Sequence, residues 1–375
     1  MTPLLPIIAS AIRARGPLTV AAVMDIALYH PEHGYYASAA RRSGREGDFF
    51  TSVDVGPLFG RLLAAQIVEM ASAVHDAGAS RFHLVEAGAG DGRLARDMLD
   101  GIAAISPDLY GRLRLTLVER SAAARARQPD VLSAHLGNVA FECTDALPPG
   151  ITGAIVANEL LDALPVHVVE MTSRGLEEVH VGERGGSLRE VLLPATDGRI
   201  RELLDDLGAA IPRGVRVEVG LAAVDWIAGA GRAVDRGFLL AIDYGSEAAD
   251  LFTRRRAGGT LNACRGHVLD PGGWLHAPGA VDLTAHVNLT AVRRAAARAG
   301  WRALGLVDQT YFLTALGLTD LLDAGQGVAS IRRRLAARTL VQPGGLGSTM
   351  KVMAFGKQVG APRLAGFAAG RVTPS

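Results

Sequence analysis

The chain has 375 residues, of which 49% are hydrophobic and 21% charged, a balance that supports a sizeable core and excludes a disordered chain. Its net charge of +1 excludes a global electrostatic pull toward nucleic acid, and the short runs Arg254-Arg255-Arg256 and Arg332-Arg333-Arg334 read as solvated loop or helix faces. The two cysteines, Cys143 and Cys264, form no CxxC pair and no metal-ligand spacing, so reduced thiols and a cytoplasmic location are expected. No run of about 18 apolar residues exists, so no segment is expected to enter a membrane.

Leu4 to Arg15 and Thr19 to Ala27 are expected to be short helices. Met1 to Gly16 has little charge before Arg13 and no long apolar core with a cleavage site, so it reads as helix and not as a signal peptide. Tyr29 to Gly47 is rich in Gly, His, Tyr and Arg and is expected to be a loop. Within it, His30-Pro31-Glu32-His33 has no third ligand at useful spacing and is assigned to loop structure, so no metal is expected. Phe59 to Ala77 carries Leu62, Leu63, Ile67, Met70 and Val74 at helical spacing. A run of α/β units follows, with strands expected at Phe82–Ala87, Leu115–Glu119, Val139–Glu142 and Ala154–Asn158, each ending in a polar or acidic residue except the first, whose acid stands one place earlier. Val166 to Leu193 alternates apolar and polar residues between glycine breaks, which predicts antiparallel hairpins inserted after the fourth strand. Helices are expected at Ile200–Ile211, Ala222–Gly229 and Leu289–Ala299, a buried parallel strand at Gly237–Asp243 and a late strand at Thr349–Phe355. The predicted division is a helical extension with a covering loop (1–80), a Rossmann-like half (81–165), inserted hairpins and helices (166–236), the rest of the sheet (237–360) and a loose tail (361–375).

The most informative stretch is Val85-Glu86-Ala87-Gly88-Ala89-Gly90-Asp91-Gly92, between an apolar strand and the helical spacing of Leu94 to Leu99. A glycine turn there lets a ligand approach the backbone at the carboxyl end of a strand, where α/β folds bind nucleotides. The spacing is not G-x-G-x-x-G, and no G-x-x-x-x-G-K-[ST] occurs, so a redox dinucleotide and a nucleoside triphosphate are disfavoured. An acid before an E/D-x-G-x-G turn resembles the first motif of class I S-adenosylmethionine-dependent methyltransferases. In such a pocket Glu86, Gly88, Gly90 and Gly92 would receive the amino-acid end of the cofactor. Glu119, at the end of the second strand, would accept two hydrogen bonds from the ribose diol, and Asp145, after the third, would meet the adenine amine. For each acid alone, a strand-end carboxylate facing water is the alternative.

Further motifs carry a fuller resemblance. They are His33-Gly34-Tyr35-Tyr36, Gly47-Asp48-Phe49-Phe50-Thr51-Ser52 with Pro57-Leu58-Phe59-Gly60, Asn158-Glu159-Leu160-Leu161-Asp162-Ala163-Leu164-Pro165-Val166, Ile242-Asp243-Tyr244-Gly245 and Val281-Asp282-Leu283-Thr284-Ala285-His286-Val287. With the glycine turn, and in this order, the chain resembles the MidA-like, or NDUFAF7-like, S-adenosylmethionine-dependent methyltransferases. It departs from that family's pattern at Asp54 (usually Glu), Ala89 (usually Pro) and Asp91 (usually basic). The resemblance implies a class I methyltransferase Rossmann-like sheet with helices on both faces, an N-terminal helical extension and an inserted β-rich and helical region. It also implies S-adenosylmethionine as cofactor and Asp48, Thr51 and Ser52 in a loop over the cofactor. The mitochondrial member methylates arginine on a subunit of respiratory complex I, so a protein substrate, a respiratory subunit included, is the partner the resemblance implies. The absence of an Arg- and Ser-rich transit segment fits a bacterial relative.

Methyl transfer from a sulfonium is an in-line displacement in which positioning supplies most of the rate. An arginine nucleophile needs a carboxylate to orient its guanidinium and a group to take a proton. Glu159 is assigned the orienting role, with Asn158 positioning the nucleophile or cofactor and Asp162 in reserve; capping of a following helix is the alternative. Asp243 ends the fifth strand and is either a second substrate carboxylate or a structural turn acid. His286 is a proton acceptor or a satisfied structural histidine, and His267 is a weaker candidate. Two other functions stay open: a cofactor-binding assembly factor without catalysis, and a small-molecule methyltransferase.

Overall fold

Leu84, Val85, Leu115, Leu117, Ile155, Val156, Phe238, Leu239 and Leu240 are fully buried. Runs this continuously apolar are selected only in strands covered on both faces. The computed structural model describes residues 2–37, 51–195, 197–265, 268–270, 272–323 and 327–368. In it these residues belong to one sheet: β1 (Phe82–Ala87), β2 (Leu113–Val118), β3 (Ala140–Thr144), β4 (Ile151–Asn158), β5 (Val234–Ser246), β6 (Arg302–Asp308) and β7 (Met350–Lys357). The strand order is β6-β7-β5-β4-β1-β2-β3. The pairs β1/β2, β2/β3, β1/β4 and β4/β5 are parallel, and β6/β7 is antiparallel. The order reverses between β1 and β4, and in open α/β sheets the carboxyl ends beside such a reversal form the ligand crevice.

The chain separates into two compact units. One comprises 50–160, 228–243 and 296–375 and holds the sheet, with β5 running out of it at residue 243. The other comprises 1–49, 161–227 and 244–295. The stretch expected to be one N-terminal extension, 1–80, is shared between them: the helices Leu4–Arg15 and Val20–Tyr29 lie in the second unit and Leu58–Asp76 in the first.

The second unit has its own sheet. His167–Thr172, Gly175–Arg184 and Ser187–Pro194 pair antiparallel, as the alternation predicts. Leu18–Thr19 and Arg216–Val219 complete it, and both are too short to display a period. Leu4, Ile8, Val23, Met24, Val168 and Val181 pack between this sheet and the N-terminal helices, and Ile200, Leu203, Val217 and Phe252 form a further cluster. The helix Gly198–Leu207 stops before the expected Ile211 because Gly208 turns left-handed, at φ 65°.

One strand was not foreseen, and one expectation is corrected. The edge strand β6 was not foreseen, because its first residues are exposed or half-buried and show neither a buried run nor an alternation. The tail expected to be loose beyond Gly360 is packed over 364–367. Leu364 and Phe367 are buried, the Ala365 N–H donates to Glu69 Oε2 at 2.8 Å and the Gly366 N–H donates to Gln66 Oε1 at 3.0 Å.

Three central strands meet at His83, Gly153 and Gly237, which are register partners. Gly153 and Gly237 have φ of 157° and 143°, and a Cβ on Gly237 would overlap the Gly153 carbonyl. Gly237→Ala is therefore expected to cost about 3 kcal/mol. Gly111, by contrast, lies in the helix Pro107–Arg112 with open space around it, and Gly111→Ala should gain about 0.5–1 kcal/mol. Urea unfolding midpoints of the two variants check this pair; equal midpoints would refute it.

Candidate active site

The turn after β1 is built from backbone that side chains rarely adopt. Gly88, Gly90 and Gly92 have φ of 72°, 53° and 88°. The N–H groups of Gly88 and Ala89 donate to the Val118 carbonyl at 2.9 and 3.1 Å, which sews the turn to the end of β2. The Gly90 N–H donates to Glu119 Oε2 at 2.9 Å, the Ser121 N–H donates to Glu119 Oε1 at 2.7 Å, and Gln128 Nε2 donates to the Gly90 carbonyl at 2.8 Å. A Cβ on Gly90 would meet nothing within 4 Å, so the turn opens onto free space. Glu119 stands one residue beyond β2 and Asp145, exposed, one beyond β3, so turn and both acids share the carboxyl edge of the sheet.

Glu86 is the least comfortable group at this edge. It is buried, and its Oε2 has no hydrogen-bond partner among the described residues. Burial first, then the charge of Asp91, pushes its carboxyl well above the usual range; Glu119 and Asp97 add to this, and a backbone bond from Ala95 opposes it. A cation placed beside it would favour its charged form.

Asp91, where the resembled family carries a basic residue, is paired with Arg93 Nε at 3.2 Å. Arg93 also donates through Nη1 to Asp54 Oδ1 at 2.9 Å. Asp54 in turn accepts from the Thr51 N–H and Thr51 Oγ1, both at 3.0 Å. One guanidinium thus joins the glycine turn to the loop at 51–54. Sequence reasoning missed Arg93, whose signal was the acid-rich pattern around it. Asp48 and His267 lie outside the described residues.

β4 ends in Asn158, and the next residue, Glu159, has φ 50°, a left-handed conformation that strains a non-glycine residue. The Glu159 N–H donates to the Ile242 carbonyl at 2.8 Å and the Leu160 N–H donates to Asp243 Oδ2 at 3.2 Å. Asp243, buried, therefore fixes the backbone beside Glu159. Glu159 Oε1 accepts from Asn158 Nδ2 at 3.1 Å and, at the long distance of 3.4 Å, from the Ser52 N–H. Asn158 Oδ1 is buried with no partner among the described residues. No helix starts between Glu159 and Val166, so the helix-capping alternative for Asn158-Glu159 is corrected.

His286 belongs to the other unit. Its Nδ1 lies 3.2 Å from Arg256 Nη1 and its N–H donates to Thr260 Oγ1 at 3.1 Å. Burial, and after it Arg256, lowers its pKa to about 4, so it is a weak proton acceptor at neutral pH. Asp162, the reserve carboxylate, is buried in that same unit. His30 Nδ1 accepts from the Glu32 and His33 N–H groups at 3.3 and 3.2 Å, the loop role expected of it. No helix among the described residues is long and apolar enough to cross a membrane.

Residues 62–307 match the model of a family of S-adenosyl-L-methionine-dependent methyltransferases. Among characterised relatives, the mouse mitochondrial protein arginine methyltransferase NDUFAF7 is 30% identical over 347 residues, covering 85% of this chain and 75% of the relative. The human protein of the same name is 28% identical, covering 85% and 74%. A crystal structure of a Burkholderia thailandensis protein bound to S-adenosyl-homocysteine superposes with a TM-score of 0.89 at 30% identity, covering 98% of this chain and 95% of that one. The class I methyltransferase fold implied by the motifs is thus the fold observed.

Glu86→Gln should stabilise the ligand-free protein at pH 8. The native pKa lies above the unfolded one, so the wild-type penalty is absent below the unfolded value and grows as pH rises toward the native one. Urea midpoints of both proteins at pH 4 and pH 8 test this. A gain that does not grow with pH would contradict it.

Proposed function

The chain belongs to this family of S-adenosyl-L-methionine-dependent methyltransferases, and on that premise we propose that it methylates an arginine side chain of a protein. The relatives at about 30% identity over 85% of the chain carry that activity in their names. The observation that carries the reading is an acceptor pair. Asn158 Nδ2 is committed to Glu159 Oε1, which leaves the buried Asn158 Oδ1 beside a carboxylate. A guanidinium has only donors, five in a planar fork, and a carboxylate with a neighbouring amide oxygen complements it.

The cofactor fits the residues present. Glu86, buried and short of one partner, would take the ammonium of the methionine moiety. The open face of Gly90 leaves room for that moiety, and Glu119 keeps lone pairs for a ribose diol after accepting two backbone N–H groups. When bound, S-adenosyl-L-methionine supplies an electrophilic methyl group on a sulfonium.

The chain's own residues supply orientation and charge. Glu159 holds the guanidinium and keeps its positive charge away from the attacking nitrogen. Asp243 and the Ile242 carbonyl hold the Glu159 backbone from the next strand. Asp145, exposed after β3, would meet the adenine amine. With a pKa of about 4, His286 is given no proton-transfer role in this reading.

Two outcomes are expected. Glu159→Gln should lower methyl transfer from labelled cofactor into cellular protein by about a hundredfold or more, with S-adenosyl-homocysteine affinity changed less than about threefold. Mass spectrometry of the labelled product should place the methyl on arginine. Undiminished transfer, or label only in a small molecule, would reject the assignment. Separately, S-adenosyl-homocysteine should bind with release of a proton from Glu86, so affinity falls as pH drops through its raised pKa. Calorimetry in buffers of different ionisation enthalpy reads that proton, and Glu86→Gln should abolish it.

A further inference from the structure

Ser52 meets the Glu159 carboxylate through its backbone and Gln309 through its side chain. Its N–H points to Glu159 Oε1 at 3.4 Å, while its Oγ donates to Gln309 Oε1 at 3.1 Å. Gln309 opens the helix Gln309–Ala315 directly after the edge strand β6, and its Nε2 donates to the Leu340 carbonyl at 2.9 Å, near the end of the helix Val328–Val341. Ser52 and Gln309 are both fully buried. Both ends of one side-chain amide are therefore used, one on a helix carbonyl and one on the hydroxyl of Ser52.

From this arrangement we infer that Gln309 is a positioning residue for methyl transfer: it fixes Ser52 so that the Ser52 N–H meets the Glu159 carboxylate. The inference rests on the proposed role of Glu159. The loop at 51–54 is then held at two points. Asp54 ties it to Arg93 at the start of the helix after the glycine turn, and Ser52 ties it to Gln309. The first tie sets the loop against the cofactor turn, and the second sets it against the carboxylate at the end of β4. A buried amide suits the task better than an ion, because it donates and accepts at once without carrying a charge that would compete with Glu159 for a guanidinium. It suits it better than an apolar residue, which would leave the Leu340 carbonyl and the Ser52 hydroxyl buried without this partner.

The test uses the full-length protein and two variants, Gln309→Met, which keeps the volume and removes both bonds, and Ser52→Ala, which removes the Oγ and keeps the N–H. Hydrogen exchange followed by mass spectrometry should show amides of the 51–54 loop exchanging about tenfold faster or more in either variant. The double variant should add little to the single ones, since both cut the same tie. Methyl transfer to the protein substrate should lose about tenfold in kcat, with S-adenosyl-homocysteine affinity held within about twofold. Wild-type exchange over 51–54 in folded Gln309→Met would overturn the inference. Should Gln309→Met fail to fold, the same exchange result in Ser52→Ala decides. Equal loss of cofactor affinity and kcat would mark a merely structural role and also overturn it. Failure of the Glu159 reading looks different: Glu159→Gln would keep full activity while the loop still loosened in Gln309→Met.

Discussion

The whole site hangs on a stretch of left-handed backbone. Gly88, Gly90 and Gly92 all sit at positive φ, and that conformation turns the chain from β1 into the helix Arg93–Ile105 within five residues. The same turn sends the Gly90 N–H to Glu119 and starts the helix at Arg93. Arg93 then reaches both Asp91 and Asp54. A side chain at any of the three glycines would strain the turn, and with it the position of the acid just beyond β2 and the loop at 51–54.

Charge explains the second layer. Asp91 and Asp54 share the Arg93 guanidinium, while burial first, then the charge of Asp91, drives the carboxyl of Glu86 toward its neutral form. A class I methyltransferase binds a cofactor with an ammonium and a sulfonium. Carboxylates at this edge of the sheet are complementary to such a cofactor. Where the resembled family places a basic residue in the turn, this chain has Asp91. Arg93, two residues on, pairs with Asp91 and so supplies a basic group beside the turn.

Local features of this site were readable in the sequence because each is written within a few residues. The glycine turn, Glu119 after its strand and Asn158-Glu159 after theirs are contiguous patterns, and the apolar runs of β1, β4 and β5 announce burial on both faces. What was not readable is what crosses the chain. Ser52 and Gln309 are 257 residues apart, and nothing in either neighbourhood names the other. β6 was missed because an edge strand is half in water, and the segment 361–368 looked loose because its anchors, Gln66 and Glu69, sit on a helix near the other end of the chain. His286 reads as a proton acceptor or a structural histidine from its intrinsic pKa alone. Burial and Arg256, a neighbour 30 residues away, lower its pKa to about 4, which no local pattern announces.

The strain at Glu159 bears on why a carboxylate stands there. A non-glycine residue at φ 50° costs about 1–3 kcal/mol. Glycine would adopt the same φ without that cost, and both backbone bonds that hold the turn, Glu159 N–H to the Ile242 carbonyl and Leu160 N–H to Asp243, would survive the exchange because neither uses the side chain. Backbone geometry therefore gives no reason for glutamate. What glutamate alone provides is the carboxylate that accepts from Asn158 and Ser52, and those two donors are modest compensation for the strain. A charged donor is the kind of ligand a carboxylate aimed in this way would hold best. The left-handed turn at the end of β4 is in this sense the counterpart of the glycine turn at the end of β1. One uses residues without side chains to open space for the cofactor, and the other accepts strain to aim a carboxylate.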